Sequence, residues 1–337
     1  MAVKLATDRR GAPSLSAEAE EPHMPFEQTR LRLFSGNANR PLAQAICDYL
    51  GTELGDASIG QFADGEVNVK INENIRGSDI FVFQPTYAPD TNLMELLIMI
   101  DAVRRASARR VTAVIPYFGY QRQDRKDQPR VPITAKLVAN LITTAGADRV
   151  MTMDLHSAQI QGFFDIPFDH LYAAPVLVDH FMRHGLQNLV AVAPDIGSVK
   201  MARAYAKRLG VGLAVVDKRR PRPDAVETMN IIGEVDGRNV VIFDDIISTG
   251  STLVEAARAL RDAGAREIYA AVTHGVLCGD SFRLLADSCV KELVITDSIR
   301  HQPDTLPSKV RVLSVAGLLG EAIRRIHEEE SLSSLFI

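Results

Sequence analysis

The stretch Val240–Thr252 reads VVIFDDIISTGST and carries a strong fold signal. Its first four residues are apolar and mostly β-branched, which predicts a buried strand over Val240–Phe243. Two aspartates follow, and then a run of hydroxyl residues around one glycine. Apolar residues across Leu253–Leu260 have the three-and-four spacing of one helix face, and Gly264 stands where a helix end favours glycine. The stretch therefore predicts a strand, a polar turn and a helix.

The same alternation of β-branched runs and helical patterns continues along the chain. The clearest strand candidates are Ile80–Gln84, Val111–Ile115, Val150–Met153, Leu189–Ala193, Leu213–Val216, Val240–Phe243, Ile268–Val272 and Leu293–Thr296. A helix is predicted over Leu93–Val103, with Thr91 placed to cap its start. Strands that alternate with helices indicate βαβ units and parallel sheets, so the fold class is α/β.

The length of 337 residues predicts about two domains. Ala145–Ala147 and Ala263–Ala265 both read Ala-Gly-Ala, and each precedes a strand that ends near a histidine at the same spacing. Duplication of one domain, with a boundary near residues 170–175, and a chance match both explain this similarity. Residues 1–30 lack apolar surface for a core, so we expect them to form a mobile extension.

Composition excludes several classes of protein. The net charge of −4 gives no general attraction to nucleic acid or to an anionic membrane. Three cysteines without close spacing suggest neither a disulfide framework nor a metal motif, and they favour a reducing compartment. The most apolar stretch is far shorter than the roughly 20 residues of a membrane span, and the first thirty residues lack a signal core. A cytoplasmic protein with no membrane and no nucleic-acid partner is therefore expected.

Polar residues at the carboxyl ends of parallel strands are the first site candidates. Asp244 and Asp245 suit vicinal hydroxyls or a divalent ion, while the hydroxyls and N–H groups of Ser248–Thr252 suit a phosphate at a helix start. A capped strand–helix turn is the alternative. His156 and Asp195 follow two other strands and suit Mg²⁺ held mainly by substrate phosphates. For His156 alone, a structural hydrogen bond is the commoner role.

Two further segments suggest phosphate and nucleotide chemistry. The run Asp217–Pro223 contains four cations and two prolines, so it is predicted to be an exposed loop, either a solvated charge run or a clamp on a phosphoryl group. In the amino-terminal half, the segment Phe62–Glu66 combines an aromatic ring with two acids, and Arg122 offers a charge for phosphate. One half therefore suggests nucleotide binding and the other sugar-phosphate binding.

Taken together, the motifs resemble those of the ribose-phosphate diphosphokinase family. The resemblance extends from Leu31 to the carboxyl terminus through FADGE, YFGYQRQDRK, VPITAK, MDLHSAQIQGFFDIP, PDIG, DKRRPRP and DDIISTGST, in the family's order. It implies two tandem phosphoribosyltransferase-like domains, 31–172 on the ATP side and 173–337 on the ribose 5-phosphate side. Each would be a mainly parallel sheet flanked by helices, in a homohexamer built from dimers. The implied reaction transfers the β,γ-diphosphoryl group of ATP to the 1-hydroxyl of ribose 5-phosphate and releases AMP.

The resemblance also implies a role for each motif. ATP would be bound by Phe62, Asp64, Gly65, Glu66, Arg122 and Gln123, the adenosine across a subunit interface. Mg²⁺ would be held by His156 and Asp195, and the catalytic pair would be Lys218 and Arg220. Ribose 5-phosphate would be bound by Arg220, Asp244, Asp245, Ser248, Thr249, Gly250, Ser251 and Thr252.

Two departures from the family pattern limit what the resemblance implies. Ser248 stands where an acid is usual, so the sugar-phosphate loop lacks a carboxylate. Asp127–Arg130 replaces a more basic run, so regulation by phosphate or ADP is not implied. A phosphoribosyltransferase shares the acidic loop, but FADGE and KRRPRP favour the synthetase. A catalytically silent paralogue would be expected to lack Lys218, Arg220 or His156, and all three are present.

Overall fold

The computed structural model describes residues 30–219 and 228–336, and this part of the chain contains fourteen strands and eight α-helices. The amino-terminal elements are β1 (Leu31–Ser35), α1 (Arg40–Leu50), β2 (Ala57–Gln61), β3 (Val67–Ile71), β4 (Asp79–Phe83), α2 (Thr91–Arg105), β5 (Arg110–Ile115), α3 (Thr134–Ala145), β6 (Arg149–Met153) and β7 (Phe168–Leu171). The expected extension, residues 1–30, lies outside the described residues except for Arg30.

The later elements continue the alternation of helices and strands. They are α4 (Ala174–His184), β8 (Leu189–Ala193), α5 (Val199–Leu209), β9 (Gly212–Arg219), β10 (Thr228–Ile232), β11 (Asn239–Ile247), α6 (Ser251–Asp262), β12 (Glu267–Gly275), α7 (Ser281–Asp287), β13 (Val290–Thr296), β14 (Val310–Leu313) and α8 (Ala316–His327). All eight predicted strands are present.

Two mainly parallel sheets organise these elements. The first has the order β1-β4-β5-β6-β7, and the second has the order β10-β9-β8-β11-β12-β13-β14, in which β10 alone is antiparallel to its neighbour. β2 and β3 form a separate antiparallel hairpin. A parallel bridge between Leu33 and Leu54 places the chain that enters β2 beside β1, as β9 lies beside β8. The predicted α/β class with helix-flanked parallel sheets is confirmed.

The two sheets repeat one topology. The sequence positions that correspond in the two sheets, however, differ from the pair that the Ala-Gly-Ala match suggests. Gly146 and Gly264 both adopt a left-handed conformation, with φ of 110° and 89°. Gly264 precedes β12, whose topological counterpart is β5, whereas Gly146 precedes β6. The counterpart of Gly264 is therefore Ser107, which precedes β5 with φ of 64°.

A shared hydrophobic core lies between the two sheets. Helix α4 packs on the second sheet through Phe181, whose ring meets Phe243 and Tyr269 edge to face. Tyr205 of α5 stacks on Phe243, with ring centroids 4.1 Å apart. Helix α8 returns to the amino-terminal half of the chain, where buried side chains of α1 and α8 belong to the same core. The ranges 31–172 and 173–337 stay a prediction, since the last helix packs on the first unit.

One predicted helix cap is wrong. Helix α2 begins at Thr91 itself, and no side chain caps its first turn by a hydrogen bond. Asp90 holds the cap position, but its carboxylate instead accepts a hydrogen bond from the Tyr120 hydroxyl.

Within the described ranges, no helix combines the length and the apolar character required to cross a membrane.

Candidate active site

The carboxyl ends of the strands of the two sheets meet, and this junction gathers several of the predicted site residues. His156, just after β6, has its Nδ1 atom 2.8 Å from Oδ2 of Asp245 on β11. His274 of β12 contacts the carbonyl oxygens of Met153 and Asp154 through Nε2, at 3.0 and 3.2 Å. Residues from both sheets therefore form one polar cluster.

The two aspartates of the DDII segment lie inside a strand rather than after it. The prediction that the strand ends at Phe243 is wrong, because β11 continues to Ile247 and pairs with β12 as far as Gly275. Asp244 accepts hydrogen bonds at Oδ1 from the Ser198 hydroxyl and from the Asp245 N–H, both at 3.1 Å. Adjacent strand residues point to opposite faces, so the pair contacts two different sets of neighbours.

The pKa values of this pair move in opposite directions. Burial, and then the neighbouring charges of Asp245 and Asp195, raise the pKa of Asp244 well above its ordinary value. Burial also opposes ionisation of Asp245, but the His156 imidazole outweighs it and lowers the pKa of Asp245. Hydrogen bonding to Asp245 raises the pKa of His156 against the effect of burial. The His156 imidazole thus favours the Asp245 carboxylate, whereas burial and two neighbouring acids disfavour the Asp244 carboxylate.

Asp195 joins the cluster through one serine. Its Oδ1 atom accepts a hydrogen bond from the Ser198 N–H at 2.9 Å, and the Ser198 hydroxyl oxygen lies 3.0 Å from it and 3.1 Å from Oδ1 of Asp244. Ser198 therefore holds the two acids near each other. Electrostatic repulsion among Asp195, Asp244 and Asp245 is the situation that a divalent cation relieves, and carboxylate oxygens are the ligands that Mg²⁺ prefers. The donor set fits a magnesium ion.

A buried network that the sequence did not reveal positions His156. Asp154 adopts a left-handed conformation, with φ of 39°, and its Oδ2 atom accepts hydrogen bonds from the Ala173 N–H and the Thr273 hydroxyl. Burial raises the pKa of Asp154 to about 6. The side-chain oxygen of Gln121 accepts a hydrogen bond from the backbone N–H of His156 at 2.7 Å. These contacts join segments far apart in the chain, so no local spacing could have predicted them.

The predicted phosphate loop forms the start of α6. Gly250 has φ of 81° and holds the cap position, and the helix begins at Ser251. The hydroxyls of Thr249 and Ser251 lie 3.1 Å apart, and the Ser248 hydroxyl lies 3.3 Å from the sulfur of Cys278. Hydroxyls and free N–H groups at the positive end of a helix suit an anion.

The predicted ATP-binding residues lie in two separate places. Phe62–Glu66 forms the β2–β3 turn, where Gly65 has φ of 93° and the Phe62 side chain is 54% exposed. Gln123 lies after β5, where it accepts a hydrogen bond from the Thr134 hydroxyl, and Arg122 beside it is exposed. Among the described residues, no hydrogen bond or ion pair joins this turn to the cluster at the strand ends.

The first three residues of the predicted loop Asp217–Pro223 belong to a strand instead. Asp217, Lys218 and Arg219 extend β9 and pair with β10, Lys218 opposite Met229. Asp217 is 3% exposed, so the interpretation of this residue as part of an exposed loop is wrong. Arg220 and the rest of that run lie outside the described residues.

Comparisons with known proteins place this arrangement in a family. The profile of the N-terminal domain of ribose phosphate pyrophosphokinase matches residues 31–146, and that of the phosphoribosyl synthetase-associated domain matches 217–337. A ribose-phosphate pyrophosphokinase of Rhizobium meliloti is 58% identical over 91% of this chain and 100% of its own length. The ribose-phosphate pyrophosphokinase of Chlorobaculum tepidum is 53% identical over 92% of this chain and 96% of its own length.

A solved structure extends the similarity to the whole fold. The phosphoribosylpyrophosphate synthetase of Mycobacterium smegmatis superposes with a TM-score of 0.84 at 40% identity, covering 89% of this chain and all of its own. The two profile matches include the Phe62–Glu66 turn and the Asp244–Thr252 segment. The chain belongs to the ribose-phosphate pyrophosphokinase family.

Proposed function

We propose that this chain transfers the β,γ-diphosphoryl group of ATP to the 1-hydroxyl of ribose 5-phosphate, giving 5-phosphoribosyl 1-pyrophosphate and AMP. The observation that carries the proposal is the strand-end junction. There His156 contacts Asp245, and Ser198 connects Asp195 with Asp244. The two aspartates of β11 are followed along the chain by the hydroxyl-rich start of α6. Relatives that match along their whole length carry the name of a ribose-phosphate pyrophosphokinase, which supports the assignment.

The sugar phosphate has a complementary surface on the second sheet. The 5-phosphate would bind the hydroxyls and N–H groups at the start of α6, where the helix dipole favours an anion. Asp244 and Asp245 would accept hydrogen bonds from the ribose hydroxyls. The acids and the phosphate loop are successive parts of one chain segment, so the two ends of a single sugar phosphate can reach both.

Transfer would proceed by attack of the 1-hydroxyl oxygen on the β-phosphorus. An oxygen–phosphorus bond forms there, the bond from the β-phosphorus to the AMP oxygen breaks, and the hydroxyl loses its proton. Catalysis of this kind depends on positioning and on neutralising charge. Asp195 and His156 would hold Mg²⁺, which supplies positive charge to the phosphates. Lys218 and Arg220 would add charge from β9 and the segment after it.

The direct test incubates the purified protein with ATP, ribose 5-phosphate and Mg²⁺. We expect AMP and 5-phosphoribosyl 1-pyrophosphate in equal amounts, measured by chromatography. Release of ADP would contradict diphosphoryl transfer. Omission of ribose 5-phosphate is the control, and it should abolish AMP formation.

Ser248 provides a prediction about the phosphate loop. Ser248→Asp should weaken ribose 5-phosphate binding by at most about tenfold, or roughly 1.4 kcal/mol, because the N–H groups at the start of α6 remain. Asp244→Ala should be much more damaging, since it removes a buried group bonded to Ser198. Titration of ribose 5-phosphate at saturating ATP and Mg²⁺ measures both. If Ser248→Asp were the worse variant, the assignment of phosphate and ribose along this loop would be wrong.

His156 provides a prediction about the metal. His156→Ala should raise the Mg²⁺ concentration needed for half-maximal turnover by about tenfold or more, since the loss of groups around a metal costs 10–100-fold in affinity. His327→Gln is the matched control, because His327 also pairs with a carboxylate, that of Asp79. An unchanged Mg²⁺ titration for His156→Ala would leave His156 a structural residue.

The proposal extends to assembly and location. We propose a cytoplasmic homo-oligomer, a hexamer, in which the Phe62–Glu66 turn reaches the ATP site of a neighbouring subunit. The exposed ring of Phe62 in the β2–β3 turn supports this. Contact with a partner or a base would remove its apolar surface from water and so stabilise the complex. Sedimentation of the wild type and of Phe62→Ser, with and without ATP, separates a role in assembly from one in binding.

A further inference from the structure

Two histidines and a glutamate form a compact group away from the strand-end junction. His180 and His184 are one helical turn apart at the end of α4, and Glu292 lies on β13. The Nε2 atoms of His180 and His184 lie 3.2 and 3.7 Å from the same atom, Oε2 of Glu292. One ligand atom from each residue falls within 4.8 Å of the others.

The two distances to Glu292 are those expected between ligands around a small ion. Zinc binds histidine nitrogen and carboxylate oxygen at about 2.0–2.2 Å in tetrahedral geometry, so neighbouring ligand atoms lie about 3.3 Å apart. Both contacts to Glu292 are close to that spacing. The two imidazole rings are neighbours, with centroids 4.8 Å apart.

Charge and burial also suit a cation at this place. The side chains of His180 and Glu292 are 11% and 14% exposed, while His184 is 35% exposed. Arg311 holds the other oxygen of Glu292 at 2.8 Å, which orients the carboxylate and leaves Oε2 to the histidines. His184 is the last residue of α4, where the carbonyl end of a helix favours positive charge.

A cavity of about 680 Å³ adjoins the group and provides a route for an ion and its water. His184 and Glu292 lie in its wall, and the edge strand β14 forms another side. The nearby cation Lys291 is paired with Glu267 at 2.6 Å, so its charge is partly neutralised. A metal with three protein ligands and one water would therefore have both access and space.

We propose that His180, His184 and Glu292 bind one first-row transition-metal ion, with Zn²⁺ as the probe. Two imidazoles and a carboxylate suit such an ion, whereas Mg²⁺ takes most of its ligands from carboxylates, phosphates and water. The site would fix the end of α4 to β13. It is independent of the proposed diphosphoryl transfer, because none of its residues belongs to the strand-end cluster. A simple hydrogen bond between His180 and Glu292 is the competing interpretation, and it needs no second imidazole.

The test measures Zn²⁺ binding to the full chain in competition with a chromophoric chelator. Millimolar Mg²⁺ is present throughout, so that oxygen-rich sites are occupied. We expect the wild type to bind one Zn²⁺ that His184→Gln binds at least about 100-fold more weakly, because even groups that only orient a ligand contribute 10–100-fold. His184→Gln keeps the His180–Glu292 contact, and the surface position of His184 allows the variant to fold.

His327→Gln is the matched control, since it removes an imidazole paired with a single carboxylate. It should keep the wild-type Zn²⁺ affinity. Zn²⁺ should also raise the Tm of the wild type and of His327→Gln, but not that of His184→Gln, because an ion that binds the native state stabilises it. Equal Zn²⁺ affinity in the wild type and His184→Gln, or equal losses in both variants, would overturn the proposal.

Discussion

Replacement of Lys218 by alanine is expected to lower kcat by about two to four orders of magnitude while changing the KM for ATP much less. β9 runs parallel to β8, with Ala193 beside Val215, so Lys218 lies beyond the end of β8 at the same sheet edge as Asp195. A cation at that edge can neutralise charge that develops on the transferred group. Such a contact strengthens in the transition state, and its loss therefore lowers kcat rather than affinity.

The matched control is Lys207→Ala, which removes an exposed lysine from the last turn of α5. Steady-state kinetics with ATP varied at saturating ribose 5-phosphate should show wild-type values for it. A Lys218→Ala enzyme with unchanged kcat and a raised KM for ATP would assign Lys218 to ground-state binding. The clamp interpretation would then be wrong.

The strands that the sequence predicted differ physically from those it did not. β4, β5, β11 and β12 lie inside the sheets and are covered on both faces, so their residues form continuous apolar runs. β7, β10 and β14 are edge strands, and charged or polar residues interrupt them, as in Phe168–Leu171 and Val310–Leu313. Edge strands carry weaker signals because one side faces solvent.

The lengths of β9 and β11 also depend on tertiary pairing. Asp217–Arg219 reads as a polar loop, yet its backbone pairs with β10. Asp244 and Asp245 read as residues beyond a strand end, yet their strand continues beside β12. Ladder hydrogen bonds with a neighbouring strand outweigh a weak local preference, and the sequence does not reveal which neighbour is present.

The candidate site was predictable as a set of residues but not as a network. The sequence assigned His156 to metal and Asp245 to ribose, and the structure joins the two at 2.8 Å. Ser198, which connects Asp195 with Asp244, directly follows the motif PDIG and had no predicted role. Thr273 and His274 reach the first unit from β12, and only the packing of the two sheets brings them there.

The attachment of the last helix rests on a buried carboxylate. Asp79, 2% exposed at the start of β4, accepts a hydrogen bond from Arg110 Nε at 2.8 Å and contacts His327 Nδ1 at 2.9 Å. Arg110 also donates to the carbonyl of Ile326 at 2.9 Å. One aspartate therefore joins the first sheet to the carboxyl-terminal end of α8.

Asp79→Ala is expected to lower the free energy of unfolding by about 3 kcal/mol, because it leaves the partly buried Arg110 without its anion. Asp101→Ala is the matched control, since Asp101 pairs with Arg105 in solvent and its loss should cost less than about 0.5 kcal/mol. Urea unfolding followed by circular dichroism ranks the two. Asp79→Asn should fall between them, because an amide keeps the shape and one hydrogen-bond acceptor but removes the charge. If Asp79→Ala unfolded at the same urea concentration as Asp101→Ala, hydrophobic contacts between α1 and α8 would hold the helix without the ion pair.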